Sequence, residues 1–526
     1  MKFYDDLIPK PQSLLQSKPS FSEEDHKIDL YEKHKIYTKI NNHFTYFALI
    51  ASLNHALAYV VASYSSSILD PLLASIILGL LWCLNSVSGL FCATFITKYF
   101  GYKWAMVLAL WGYTVQIIGL YVSILIPAYS WSINITAAIL GGITSAVWWT
   151  AQGVCFEITC EKLSSCQPTN NSLFPATSST SSHINEDQHL RQLNEIRSNL
   201  SARWTMIYQF ADILVFLCLS VLPIYFHIDF NSVILLLVIM GVATSLLGTT
   251  FDSLGNYPTL LNKQEIFESV IAVPKQFLTD ARASLIAPFV FGFGITTAMF
   301  AYYINGKIID ESPSLGLLSI GLLEAFSYLV AALSAFPYAY VTNSSAMGGH
   351  IVMQFGSFAF MLTGVFVVLL TSKDLSALST ILVISGLYGL GRGVFEGACR
   401  ATYAELFAGE HLSTAFSSQT LLAGISGGIC FFLFERCSGF TIGMITVFNG
   451  ALALVSYGTM ISHPDFHKPI AWSELFPVVS SIFKLGSSDS NNWFSGSSRR
   501  GSSSIPTLSA NVNVDEIESN SLLRSG

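Results

Sequence analysis

The chain has 526 residues, 52% of them hydrophobic and only 11% charged, with a formal net charge of −7 and a mean hydropathy of +0.53. A soluble chain carries roughly 25% charged residues, so this composition excludes an ordinary globular protein and points to a polytopic membrane protein. It also excludes nucleic-acid partners, because no basic region of the right type is present. The nine Cys are scattered through apolar runs without paired metal spacing. They read as packing residues, with no metal or cofactor expected.

Residues 1–42 form a polar tail, disordered or partly helical. No early apolar core follows the start, so no cleavable signal is read there. Twelve apolar runs follow, each near the ~20 residues that cross a bilayer. They lie at about 43–68, 72–97, 104–126, 132–156, 204–226, 231–250, 284–304, 315–340, 347–371, 376–399, 412–434 and 440–461. The predicted domains are a first six-helix bundle at 43–250 with a polar loop at 157–203, and a connector at 251–283 holding a short surface helix from Lys275 to Arg282. A second six-helix bundle spans 284–461, and a Ser-rich disordered tail spans 462–526. The expected fold is all-α, twelve membrane helices in two six-helix bundles. With the N-terminus in the cytosol, only Lys307, Lys373 and Arg436 fall outside and Arg392 falls within the membrane, as the positive-inside bias requires. Both tails and the connector are then cytosolic.

The two halves echo each other faintly. Setting Gly142 of the fourth span on Gly389 of the tenth aligns Val147 with Val394, Trp148 with Phe395, Ala151 with Ala398 and Phe156 with Tyr403. Membrane carriers are commonly built from such repeats, with the site at their interface near the midplane.

The ionisable residues inside the apolar runs are the candidates for function, because charge in a bilayer faces the bundle interior or a wet cavity. Arg392, Glu396 and Arg400 recur at i, i+4 and i+8 and so stack on one helical face. Arg392 reads as an anion-binding or gating charge and Glu396 as its partner or a proton site. The structural alternative has Arg400 reaching the headgroups and Glu396 pairing with either arginine to hold helices together. Glu324, in the eighth span, has no charged neighbour in sequence, which suits a proton-coupled carrier or a carboxyl hydrogen-bonded to backbone. Asp212, in the fifth span, is similar, with Gln209 on the same stripe. In the fourth span Gln152 is placed to bond a ligand with Trp148 one turn away. The alternative is interhelical hydrogen bonding and packing. His55 in the first span, beside Asn54 and with His43 near the start, is a candidate to titrate near neutral pH; the favoured alternative is hydrogen-bonded packing. The glycines around Arg392 read as close helix contacts rather than a nucleotide loop.

Three segments resemble a known family. G-G-I-T-S-A-V-W-W-T-A-Q-G (Gly141–Gly153), Y-G-L-G-R-G-V-F-E (Tyr388–Glu396) and P-F-V-F-G-F (Pro288–Phe293) are similar to the fourth-, tenth- and seventh-span patterns of the uncoordinated-93-like branch of the major facilitator superfamily. The resemblance covers roughly residues 43–461. It departs from the wider superfamily in two loops: K-Y-F-G-Y-K-W (Lys98–Trp104) lacks the usual Asp, and V-T-N-S-S-A-M-G-G-H (Val341–His350) lacks Lys, Arg and carboxylate. The resemblance implies a non-enzymatic secondary solute transporter acting on an unknown small solute in the lipid bilayer, and the buried carboxylates suit coupling to protons. It equally implies an alternative, a non-transporting regulator or trafficking companion of ion channels or receptors. The transport cavity is expected to hold Arg392, Glu396, Glu324, Asp212, Gln152 and Trp148. In the tails, Y-D-D-L (Tyr4 to Leu7) and E-S-N-S-L-L (Glu518 to Leu522 and Leu523) match sorting patterns and point to an endosomal, lysosomal or vacuolar membrane over the plasma membrane.

Overall fold

Backbone buried in a bilayer must satisfy its hydrogen bonds within its own segment, which for runs of this length means helices. The computed structural model describes residues 23–166, 181–254, 263–309, 312, 315–344, 347–407 and 412–472. Twelve helices among the described residues are long and apolar enough to cross a membrane. The first six spans are α1 (Glu23–Ile68), α2 (Pro71–Phe91), α3 (Ala93–Leu125), α4 (Ser130–Cys166), α5 (Ser181–Phe226) and α6 (Phe230–Gly248). A connecting helix, α7 (Lys263–Thr279), precedes α8 (Ala281–Ala298), which runs on as a π-helix over Met299–Ile309. Then come α9 (Leu317–Ser344), α10 (Gly348–Leu369), the short α11 (Ser372–Leu375), α12 (Leu378–Glu396), α13 (Ala398–Leu406), α14 (Leu412–Phe434) and α15 (Gly439–Ile461).

Each half packs on itself: α3 on α4 and α6, and α1 on α5, in the first; α10 on α15, and α9 on α12, in the second. The halves meet along two extensive seams, α2 with α14 and α5 with α9. These seams pair the second span with the eleventh and the fifth with the eighth, so exchanging the halves converts one seam into the other. The glycines carry the same symmetry. A Cβ on Gly142 would come 2.6 Å from the carbonyl oxygen of Leu81 in the second span, and one on Gly389 would come 2.3 Å from that of Ser327 in the eighth. The aligned glycines thus make the equivalent close approach in each half, a packing role. Gly101, within α3, has φ 73°, a conformation glycine adopts without steric cost, and it kinks the helix there.

Four regions differ from the sequence expectation. The loop predicted at 157–203 is largely helical: α4 continues to Cys166 and α5 begins at Ser181. Arg197 clamps these extensions together, donating through Nε to Glu157 Oε2 at 3.0 Å and through Nη2 to Oε1, with both side chains 4% exposed. The pair neutralises itself, which lets polar sequence stay helical and buried. The helix expected from Lys275 to Arg282 is instead the end of α7 and the start of α8. Asp280 separates them, capping α8 by accepting from the Arg282 amide at 3.1 Å. The tail predicted as disordered from 462 packs back as far as residue 471. Phe466 and Ile470 are buried, the Ala281 amide donates to the Ile470 carbonyl at 2.9 Å, and the Arg282 guanidinium donates to the His467 carbonyl at 2.8 Å. The tenth span is broken at Gly397 (φ −106°, ψ −87°), whose carbonyl accepts from Ser201 Oγ of α5 at 2.7 Å.

The close approach of α12 to α9 gives a paired test. Gly389→Ala pushes a methyl into a backbone carbonyl that cannot rotate away, so it should destabilise the protein by about 1–3 kcal/mol. Gly386→Ala, whose added Cβ would have nothing nearer than Phe326 at 3.8 Å, should leave stability unchanged. Thermal unfolding of both variants in detergent checks the difference.

Candidate functional site

A partly open cavity of about 90 Å³ lies at the seam between the bundles. It is built from helical stripes that repeat at i, i+3 and i+4. The stripes are His55, Ala58, Tyr59 and Ala62 on α1; Leu81, Trp82 and Asn85 on α2; and Ser145, Trp149 and Gln152 on α4. The second half contributes Arg392, Phe395 and Glu396 from α12, Arg400 from α13, and Phe416, Gln419, Thr420 and Ala423 from α14.

Arg392 is 1% exposed. Its Nη1 donates to the hydroxyls of Tyr388 at 3.1 Å and Tyr59 at 3.3 Å, and its Nη2 donates to that of Tyr208 at 3.5 Å. Nη2 also lies 3.6 Å from Asp212 Oδ2, too far for a hydrogen bond. The guanidinium carbon stands 4.4 Å over the Tyr328 ring and 4.9 Å over the Tyr59 ring, so aromatic faces supply part of its counter-field. Arg400 is held differently. It donates to Glu396 Oε2 at 2.8 Å and to Gln152 Oε1, and its guanidinium lies 4.7 Å over Trp149 and 5.6 Å over Trp204. It is 2% exposed and does not reach towards headgroups. The expectation of a snorkelling Arg400 fails because the fourth and fifth spans offer it an acceptor and two rings inside the bundle.

The predicted site residues therefore divide. Arg392, Glu396 and Gln152 line the cavity, with Glu396 paired to Arg400 and not to Arg392. Asp212 stands behind Arg392, away from the cavity wall, and neither of its oxygens has a hydrogen-bond partner. Trp148 is fully buried outside the wall, 4.6 Å from Trp149 and 5.0 Å from His55 by ring centroids. Glu324 also lies outside the wall, its Oε1 accepting from Asn305 Nδ2 of the π-helix at 2.7 Å. The sorting-motif residues Tyr4, Leu7, Glu518, Leu522 and Leu523 lie outside the described residues.

Several lining residues escaped the sequence reading. His55, read as packing, lies on the wall with its Nδ1 2.9 Å from the Tyr208 hydroxyl. Tyr59, Tyr113, Tyr208, Gln116 and Asn85 line it too. The stripe spacing was the available signal, since a polar or aromatic residue at each turn of several helices marks a shared face. On one side the cavity floor is closed across the halves. Ser417 Oγ lies 2.7 Å from Thr94 Oγ1 and 3.1 Å from Thr150 Oγ1, and Phe416 packs on Gly153.

The Glu396–Arg400 pair is buried, so breaking it from one side leaves an uncompensated charge. Arg400→Ala should cost about 3–5 kcal/mol of stability, and the double variant Glu396→Gln with Arg400→Gln should recover most of that loss. A double-mutant cycle on unfolding in detergent measures the coupling.

No protein-family model and no curated protein matches the sequence. Solved structures do match. A proton:xylose symporter of the major facilitator superfamily, XylE, bound to 6-bromo-6-deoxy-D-glucose, superposes with a TM-score of 0.57 at 11% identity, covering 85% of this chain and 99% of that one. The human organic anion transporter MFSD10 (TETRAN) gives 0.50 at 12%, covering 81% and 99%, and the nucleoside transporter NupG gives 0.50 at 11%, covering 80% and 99%. Likeness at such low identity speaks for the fold alone, which this chain shares with these transporters.

Proposed function

We propose that the chain is a secondary solute carrier, coupled to protons, and that the central cavity is its solute site. The observation that carries this reading is the cavity itself: about 90 Å³ of space between the two halves, walled by two guanidiniums, a carboxylate and aromatic faces. Charges kept only for helix docking need no void beside them. Rocking of one half against the other would present such a site to the two sides of the membrane in turn. The transport functions named for the xylose symporter, the nucleoside transporter and the organic anion transporter support the reading. Charge balance supports proton coupling. Arg392 and Arg400 stand among three carboxylates, Asp212, Glu324 and Glu396, and one proton on the set restores neutrality.

The motifs at Gly141–Gly153 and Tyr388–Glu396 support membership of the uncoordinated-93-like branch. The Lys/Arg bias supports cytosolic tails and connector, and the tail motifs support an endosomal, lysosomal or vacuolar membrane. One observation favours a second reading, a regulator of partner membrane proteins. The loops Lys98–Trp104 and Val341–His350 carry little of the charge that latches gated carriers.

Reconstitution in liposomes with a solute panel and a proton gradient tests both readings. Proton-driven flux is expected. Arg392→Ala should lower it at least about tenfold, equivalent to ~1.4 kcal/mol, and Glu324→Gln should remove its dependence on the gradient. Absence of flux for every solute, alongside a membrane protein that co-purifies in fixed ratio, would establish the regulator instead.

A further inference from the structure

We propose that residues 462–471 form a strap that holds α13 in place, and with it Arg400 on the cavity wall, so that releasing the strap lets α13 swing about Gly397. The device does not depend on what the cavity takes up.

The strap begins where α15 ends. Its turns are closed locally: the Phe466 amide donates to the His463 carbonyl at 3.2 Å, and the Lys468 amide donates to the Asp465 carbonyl at 2.9 Å. Most of its side chains are exposed, but Phe466 and Ile470 turn inward, with 7% and 1% exposure. Phe466 meets His350 of α10 edge-on, with ring centroids 4.8 Å apart. The backbone is anchored on the start of α8. The Ala281 amide donates to the Ile470 carbonyl at 2.9 Å, and the Ile470 amide donates to Asp280 Oδ1 at 3.4 Å.

Arg282 is the node that joins strap and lever. It is 2% exposed and neutralised by Asp280 at 2.7 Å. Its Nη1 donates to the His467 carbonyl at 2.8 Å, while its guanidinium carbon stands 5.1 Å over the ring of Phe407, directly after α13. A second tie reaches α13 itself, where His467 Nδ1 lies 3.8 Å from Glu405 Oε1.

α13 is built as a lever. Gly397 leaves the helical region (φ −106°, ψ −87°), so α12 does not carry α13 rigidly. Residues at the ends of elements are where hinges form. The nine residues of α13 span about 13 Å, with the hinge at one end, the strap at the other and Arg400 between. Small side chains beside the hinge, among them Ser201, Ala335 and Ala401, leave a void that gives the helix room. α13 is also contested between the halves. It packs on α5 of the first half, and its Arg400 donates to Gln152 across the seam. The strap ties the same helix back to α8 of its own half.

The test treats the full-length protein in lipid nanodiscs with N-ethylmaleimide and assigns the modified cysteines by mass spectrometry. Cys399 is the reporter. It adjoins Arg400 on α13, is 0% exposed and accepts from Gln419 Nε2 at 3.6 Å. Cys155 on α4, also 0% exposed, reports general loosening. The double variant Phe466→Ala with Ile470→Ala should raise the labelling rate of Cys399 at least about tenfold while that of Cys155 stays unchanged. Deleting residues 472–526 spares the strap and should leave both rates as they are. An unchanged Cys399 rate in the double variant overturns the proposal. A parallel rise at Cys155 does so too, because the segment would then be a general stabiliser. Should the double variant not fold, His467→Ala decides, since that side chain is 52% exposed and its loss leaves the backbone anchors in place. A rise of at least about threefold at Cys399 alone supports the strap, and no rise overturns it.

Discussion

Two guanidiniums buried in the middle of a membrane-spanning bundle set the terms for the rest of the molecule. Neither can be left without counter-charge, and the partners come largely from the opposite half. Arg392 on α12 meets Asp212 on α5, Tyr59 on α1 and Tyr208 on α5, while Arg400 on α13 meets Gln152 and Trp149 on α4 and Trp204 on α5. Holding these guanidiniums therefore also docks the halves. The aromatic richness of the seam follows, since ring faces stabilise a cation without adding a compensating charge. Moving one half relative to the other would change the contacts of Arg392 with Asp212, Tyr59 and Tyr208 and of Arg400 with Gln152, while the Glu396–Arg400 pair would travel as a unit.

The second constraint is close approach. The equivalent contacts of Gly142 on the second span and Gly389 on the eighth bring helix backbones together in each half. The first, second, fourth, tenth and eleventh spans supply most of the wall of the central space. The motifs at Gly141–Gly153 and Tyr388–Glu396 contribute Ser145, Trp149, Gln152, Arg392, Phe395 and Glu396 to it.

Local composition made much of this legible. Hydropathy located the twelve spans; charge in apolar runs singled out Arg392 and Glu396, and a polar residue in mid-helix singled out Gln152, all three on the wall. What stayed hidden depended on partners distant in sequence. Glu157 and Arg197 look like loop residues until they are seen neutralising each other across two helices. Arg400 sits near a predicted helix end, where reaching for headgroups is the ordinary outcome; the two tryptophan rings that hold it inside belong to other spans. Asp212 and Glu324 are indistinguishable from wall residues by composition, yet they stand one layer behind it. Phe466 and Ile470 are two apolar residues in a polar tail, too few to register against the Ser-rich stretch that follows.

On the proposed carrier reading the arginine–carboxylate contact at the seam serves cargo more than the fold, and one double variant separates the two roles. Arg392→Met combined with Asp212→Leu replaces a buried ion pair with apolar side chains of similar size, a change that is often neutral or stabilising. Thermal unfolding and liposome flux measured on the same preparation should give a melting temperature equal to or above that of the native chain together with loss of solute flux. A lowered melting temperature with flux retained would contradict this, and would make the pair a structural fastening.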